Sequence, residues 1–245
     1  MLYILYLDTE HVSDPLFLEA VAQQFHKHPV GHRRALIVHG SSEKVERTFE
    51  AEGHFIEREN GLLPVDTDEQ RRLVERDLRE TNQSIVATLT DQVVPTVGVQ
   101  GTDRQLLRRT DDGTIAAASN LGWLDALLKQ HVVAVVSSMI APDPDTIAEE
   151  VPLPKAAAAL AHYFAADAVT DDPPVRVVLF HPNDTPGLQG EEGTVHEVCA
   201  PTHPTIPHKQ AVHTLAEADV PMLLTNTRGF FEGDAPTGTR IASVD

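Results

Sequence analysis

Short apolar runs alternate with amphipathic stretches along this chain, and that alternation predicts its architecture. Leu2–Leu7, Leu36–Val38, Thr96–Val99, Val132–Ser138, Val175–Phe180 and Met222–Thr225 are bounded by turn residues and read as buried strands. Between them, apolar residues recur at helical spacing. Asp14-Pro15 opens a helix through about Gln24, with Leu16, Ala20, Val21 and Phe25 on one face. Further helices are predicted over 43–52, 124–129, 155–166 and 210–218, and a long charged one over 69–89 behind the cap Asp66-Thr67-Asp68. The alternation His54-Phe55-Ile56 predicts a short strand before an Asn60-Gly61 turn, and Leu106–Arg109 leads to a hairpin turn at Asp111-Asp112-Gly113. Thr237–Ile241 is a closing strand, and 190–207 has no period. The most apolar run, 132–138, is expected at the sheet centre. Strands alternating with helices imply an α/β protein with a mostly parallel sheet covered on both faces and ligands at the strand C-terminal ends.

The first place to look for a ligand is the turn His39-Gly40-Ser41-Ser42, between a strand and a helix. Backbone N–H groups at a helix N-terminus favour an anion, so this turn is a candidate phosphate cradle. Such turns also occur with no ligand, and His39 beside Ser41-Ser42 has the wrong spacing for a nucleophile and its base.

Charge narrows the partners. Against 37 acids stand 19 bases, net −18, with the acids spread along the chain. That field disfavours nucleic acid and anionic membrane surfaces. No apolar run is long enough to span a bilayer, and Met1–Leu7 reads as a first strand rather than a signal peptide. The single Cys199 allows no internal disulfide, which fits a cytoplasmic protein. His196, Cys199, His203, His208 and His213 fall close together, but their spacing matches no zinc signature; the segment reads as a solvated loop and no metal site is expected.

Taken in order, the motifs resemble the amino acid kinase family, and within it the acetylglutamate kinase branch, over nearly the whole chain. Leu36–Ser42 resembles that family's strand ending in His-Gly-Gly-Gly. Asn60-Gly61-Leu62 with Thr67-Asp68, Asn82–Ala87, Val97–Asp103, Ala156–Ala161, Asn183–Gly187 and Gly238–Ile241 follow in matching order. The resemblance implies a three-layer αβα sandwich. Its N-terminal lobe, 1–140, would hold an N-acyl-glutamate-type acid, and its C-terminal lobe, 141–245, would hold ATP with Mg²⁺. The implied reaction transfers the γ-phosphoryl group to a side-chain carboxylate in arginine- or lysine-type biosynthesis, within a homodimer.

The family's charged groups are largely replaced. Its first strand ends in Lys-x-Gly-Gly; here Tyr6 stands at the lysine and Asp8-Thr9 at the glycines, where a carboxylate repels phosphate. The clamping arginine falls on Leu63, and the aspartate position falls on Pro154 or Lys155. Ile206-Pro207-His208-Lys209 resembles the segment of the second lysine, with His208 in register and Lys209 one place late. The resemblance therefore assigns catalytic positions to Lys209 and His208, substrate or phosphate contacts to His39, Gly40, Ser41, Ser42, Asn60 and Gly61, and nucleotide contacts to Asn183, Asp184 and Gly187. Phosphoryl transfer, with ATP and Mg²⁺ if active, is expected to be weak or lost. The alternative is a non-catalytic pseudokinase that binds a metabolite or another subunit.

Overall fold

The apolar runs pair into one eight-stranded sheet in the computed structural model, which describes residues 1–28, 33–141, 146–166, 174–182, 184–190 and 194–242. In chain order the elements begin with β1 (Leu2–Leu7), α1 (Thr9–Ser13), α2 (Pro15–Lys27), β2 (Arg34–His39), α3 (Glu43–Ala51) and α4 (Asp68–Asp91). There follow β3 (Thr96–Val99), the hairpin β4 (Leu107–Arg109) and β5 (Ile115–Ala117), α5 (Gly122–Lys129) and β6 (Val133–Ser137). A small ladder of β7 (Met139–Ile140) with β8 (Glu149–Glu150) leads into α6 (Leu153–Ala165). The chain closes with β9 (Val175–Phe180), β10 (Val198–Cys199), α7 (Lys209–Glu217), β11 (Met222–Thr225), α8 (Thr227–Phe231) and β12 (Thr239–Ile241).

The strand order is β10-β12-β11-β9-β1-β2-β6-β3, parallel throughout except where β11 meets β12. Side chains alternate across it, as the pleat requires. Leu2, Ile4 and Tyr6 of β1 join a core with α5, α6 and α7, whereas Tyr3, Leu5 and Leu7 join one with α2 and α8. Ile85 and Leu89 of α4 complete the second face. A smaller cluster ties α3 to α4 through Val45, Phe49, Val74 and Leu78. The expected αβα layering is present, with helices on both faces of a mostly parallel sheet.

Three local expectations change. The run 132–138 lies one strand from the edge, while β9 and β1 occupy the centre. Its hydrophobicity reports burial on both faces rather than central position. His54-Phe55-Ile56 forms no strand: Phe55 is 85% exposed, and only Ile56 packs, against the α3–α4 cluster. Helix α1 was not anticipated; Asp8 caps it by accepting from the His11 N–H.

Candidate functional site

The C-terminal ends of β1 and β2 meet in one place, where loops from both halves of the chain converge. At the end of β1, the Asp8 carboxylate accepts from His11 Nδ1 at 2.7 Å and faces His208 Nδ1 at 3.1 Å. His208 Nε2 lies 2.7 Å from the Phe180 carbonyl at the end of β9. Both neighbours of the His208 ring are acceptors, so both ring nitrogens donate and the ring is an imidazolium. Burial alone would lower the His208 pKa, but the hydrogen bond to Asp8 and its charge outweigh burial and raise it. Burial would likewise raise the Asp8 carboxyl, and the two histidines hold it well below the usual carboxylate range. His208 reaches Asp8 from a left-handed backbone turn (φ 52°) immediately before α7 and makes no side-chain cap to that helix. Lys209, the next residue, is exposed. Tyr6 is buried in the core, and desolvation with the nearby Asp8 pushes its hydroxyl pKa up.

At the end of β2, His39 is fully buried. Its Nδ1 sits 2.9 Å from the Gly40 carbonyl, and its Nε2 faces the Asn82 amide at 3.1 Å. That pairing requires a neutral ring with its proton on Nδ1, and burial brings its pKa down to about 4. The Asn82 amide also lies within reach of the Val99 and Val135 carbonyls, so α4 is pinned to β3, β6 and the end of β2.

The donors of the Ser41-Ser42 turn are taken by the protein's own carboxyl groups. Ser41 N–H and Oγ donate to Glu150 Oε1 and Oε2 at 2.7 and 2.8 Å. Ser42 N–H and Oγ donate to Asp77 Oδ2 and Oδ1, both at 2.7 Å. Burial pushes both carboxyls up, against these hydrogen bonds and the charge of Arg58. Gly40 lies under Glu150: a Cβ there would stand 3.1 Å from Glu150 Oε1. Arg58 donates to Ser41 Oγ, Ser42 O and Gly61 O and pairs with Glu46. It enters the turn two residues before the Asn60-Gly61 pair. Leu63, where the resemblance places the clamping arginine, is buried in the small α3–α4 cluster. Asn60, itself exposed with φ 55°, accepts from the Gln210 amide of α7.

Across the cleft, Asp184 is exposed and its carbonyl accepts from the Asn226 amide. Gly187 has φ 112°, and a Cβ there would come within 2.6 Å of Thr239 Oγ1, so only glycine fits. Its N–H donates to His181 Nε2. Asn183 lies outside the described residues. Pro154 is buried in the first turn of α6 and Lys155 beside it is exposed. Among the described residues, no group of three or more His, Cys, Asp or Glu side chains is arranged to hold a metal ion, and no helix is long and apolar enough to cross a membrane.

No family model and no curated protein matches the sequence. Solved structures do. The whole chain aligns with N-acetylglutamate synthase from Neisseria gonorrhoeae, solved with coenzyme A and N-acetyl-glutamate, at a TM-score of 0.69 and 16% identity. It aligns with aspartate kinase from Synechocystis at 0.66 and 15% over its whole length, and with an isopentenyl phosphate kinase at 0.61 and 17% over 98% of it. The chain has the amino acid kinase fold. It spans 60% of the length of that synthase, 40% of the aspartate kinase and all of the isopentenyl phosphate kinase.

Within the amino acid kinase fold, the structure brings His39, Gly40, Ser41, Ser42 and His208 to neighbouring strand ends and leaves Lys209 exposed beside them. Three participants were not expected from the sequence: Asp77, Glu150 and Arg58. Asp77 is an acidic residue on the otherwise buried face of α4, and that conflict with helical patterning was the one available signal. Nothing local to Glu150 or Arg58 marks them, because each arrives from a loop-proximal position through tertiary packing. Chemically, the arrangement holds carboxylates and a trapped imidazolium. At this turn the Ser41 and Ser42 backbone donors are engaged, and the Asp8 carboxylate stands at the end of β1.

Proposed function

We propose that this chain is a non-transferring relative of the acetylglutamate kinase-type enzymes, a metabolite-binding regulator or subunit partner in amino-acid biosynthesis. The observation that carries this reading is the occupation of the Ser41 and Ser42 N–H groups by Glu150 and Asp77. Phosphoryl transfer depends on preorganised donors and cations aimed at the moving phosphoryl oxygens. Here each donor already has a carboxyl oxygen at 2.7 Å, so neither N–H is open to a phosphoryl oxygen. The exposed Lys209 is one ammonium where the family's chemistry uses two lysines and an orienting aspartate.

The test is ADP release by the full-length protein with Mg-ATP and N-acetylglutamate, read beside a thermal-shift titration with each compound. The expected outcome is ADP at the level of the protein-free blank. Release above that blank that disappears in Lys209→Ala would overturn the proposal and restore an active kinase. A midpoint raised by N-acetylglutamate without ADP release is the signature of the binding role.

A further inference from the structure

A cavity lies away from the strand ends, walled by the β4–β5 hairpin, α6 and α7, with a volume of about 830 Å³. That is within the range of small-molecule sites, roughly 300–1,000 Å³. Its room comes from missing side-chain bulk: Ala117 on the hairpin faces Ala158 and Ala159 on α6, and Tyr163 and Thr214 form the far walls. One end is fixed by His162, whose Nε2 meets the Ala218 carbonyl at 2.7 Å and ties α6 to α7. Tyr163 is fixed in turn, its hydroxyl accepting from the Leu121 N–H at 3.0 Å.

The charges along the lining are unequal in availability. Asp112 is engaged by its own turn, accepting from Thr110 Oγ1, Thr114 N–H and Thr114 Oγ1. Glu217 lies 3.3 Å from His213 Nε2 on the next turn of α7. Lys155 has no ion-pair partner among the described residues, although the chain carries net −18 and both Lys44 and Lys129 are paired. Lys155 is therefore the lining's one ammonium and stands without an ion-pair partner among the described residues, whereas both carboxylates already have polar neighbours.

From this we propose that the groove between β5, α6 and α7 binds a small amphipathic organic anion, its apolar body against the alanine walls and its carboxylate or sulfonate on Lys155. The site is separate from the Ser41-Ser42 turn, so it stands or falls independently of the proposed function.

The probe is 8-anilinonaphthalene-1-sulfonate, an aromatic monoanion, titrated into the full-length protein by fluorescence, with indole-3-acetate as a carboxylate competitor. Saturable binding at one site per chain and displacement by indole-3-acetate are expected. Lys155→Glu should weaken both at least tenfold. Thr214→Trp, a substitution at a half-buried wall position, should abolish both, and Lys209→Glu should leave both unchanged. Circular dichroism and the unfolding midpoint confirm that each variant is folded. Loss in Lys209→Glu equal to that in Lys155→Glu would mean non-specific attraction and overturn the proposal. So would binding that persists in both Lys155→Glu and Thr214→Trp. A wild-type dimer that Thr214→Trp dissociates would assign the groove to a second copy of the chain instead.

Discussion

His208 gives up capping α7 in order to close an ion pair with Asp8, and the exchange has a measurable pH signature. Its folded pKa is raised above the ordinary histidine value of about 6.5, so its contribution to stability is complete below that pH and is lost as pH rises through the folded value. Urea midpoints of the wild type should therefore fall between pH 6 and pH 9, and those of His208→Gln should be flat over the same window. His39 has the opposite sign. Its folded pKa of about 4 means the unfolded chain binds the extra proton between pH 4 and 6.5, so stability rises with pH there by about 3 kcal/mol in total. His39→Gln should remove that acid-side slope and leave the alkaline one. Equal slopes in wild type and variant in either window would refute the assigned protonation state. Asp8→Asn at pH 6 leaves the imidazolium without its counter-charge and should cost about 3 kcal/mol. The sequence marks Asp8 as hostile to phosphate, but its partnership with His208 depends on a left-handed turn that no local pattern encodes.

Among the elements, α4 does most to hold the strand ends in place, through a single amide. Asn82 sits on its buried face and reaches His39 and Val99, the last residues of β2 and β3, and Val135 in the middle of β6. Gly98 on β3 makes room for it: a Cβ there would stand 2.4 Å from Asn82 Oδ1 and 3.1 Å from Val86 Cγ2. Gly98→Ala should therefore displace the Asn82 amide and cost about 1–3 kcal/mol, an overpacking penalty, read as a lowered midpoint with unchanged m-value. A neutral Gly98→Ala would show that the amide is free to move. Much at this scale is visible in the sequence. The long helix with its cap at Asp66-Thr67-Asp68, the hairpin and the parallel strands all follow from period and turn chemistry. The order of strands and the small β7–β8 ladder do not, because hydrophobic periodicity reports how much of a strand is covered and not which strand lies beside it. The same limit hid Glu150: it sits on a two-residue strand whose position is set by Met139 and Ile140.

For the molecule as a whole, charge is the dominant variable. With 37 acids against 19 bases, most cations are already matched on the surface by pairs such as Lys44–Glu80 and Arg79–Glu75, and the excess acids repel one another across the sheet's outer helices. Exposed pairs of this kind contribute little each, so screening the excess should gain more than it loses. The Debye length falls from about 10 Å at 0.1 M salt to about 3 Å at 1 M. The unfolding midpoint at pH 7.5 should therefore rise from dilute buffer to 1 M KCl by about 5 °C, the shift that roughly 2 kcal/mol gives a domain of this size. Lowering the pH to 5 supplies the control. Proton uptake makes the net −18 less negative, and the salt response should shrink with it. A rise of the same size at pH 5 and pH 7.5 would mean that salt acts by strengthening apolar burial instead, and that the acidic surface is not what limits stability.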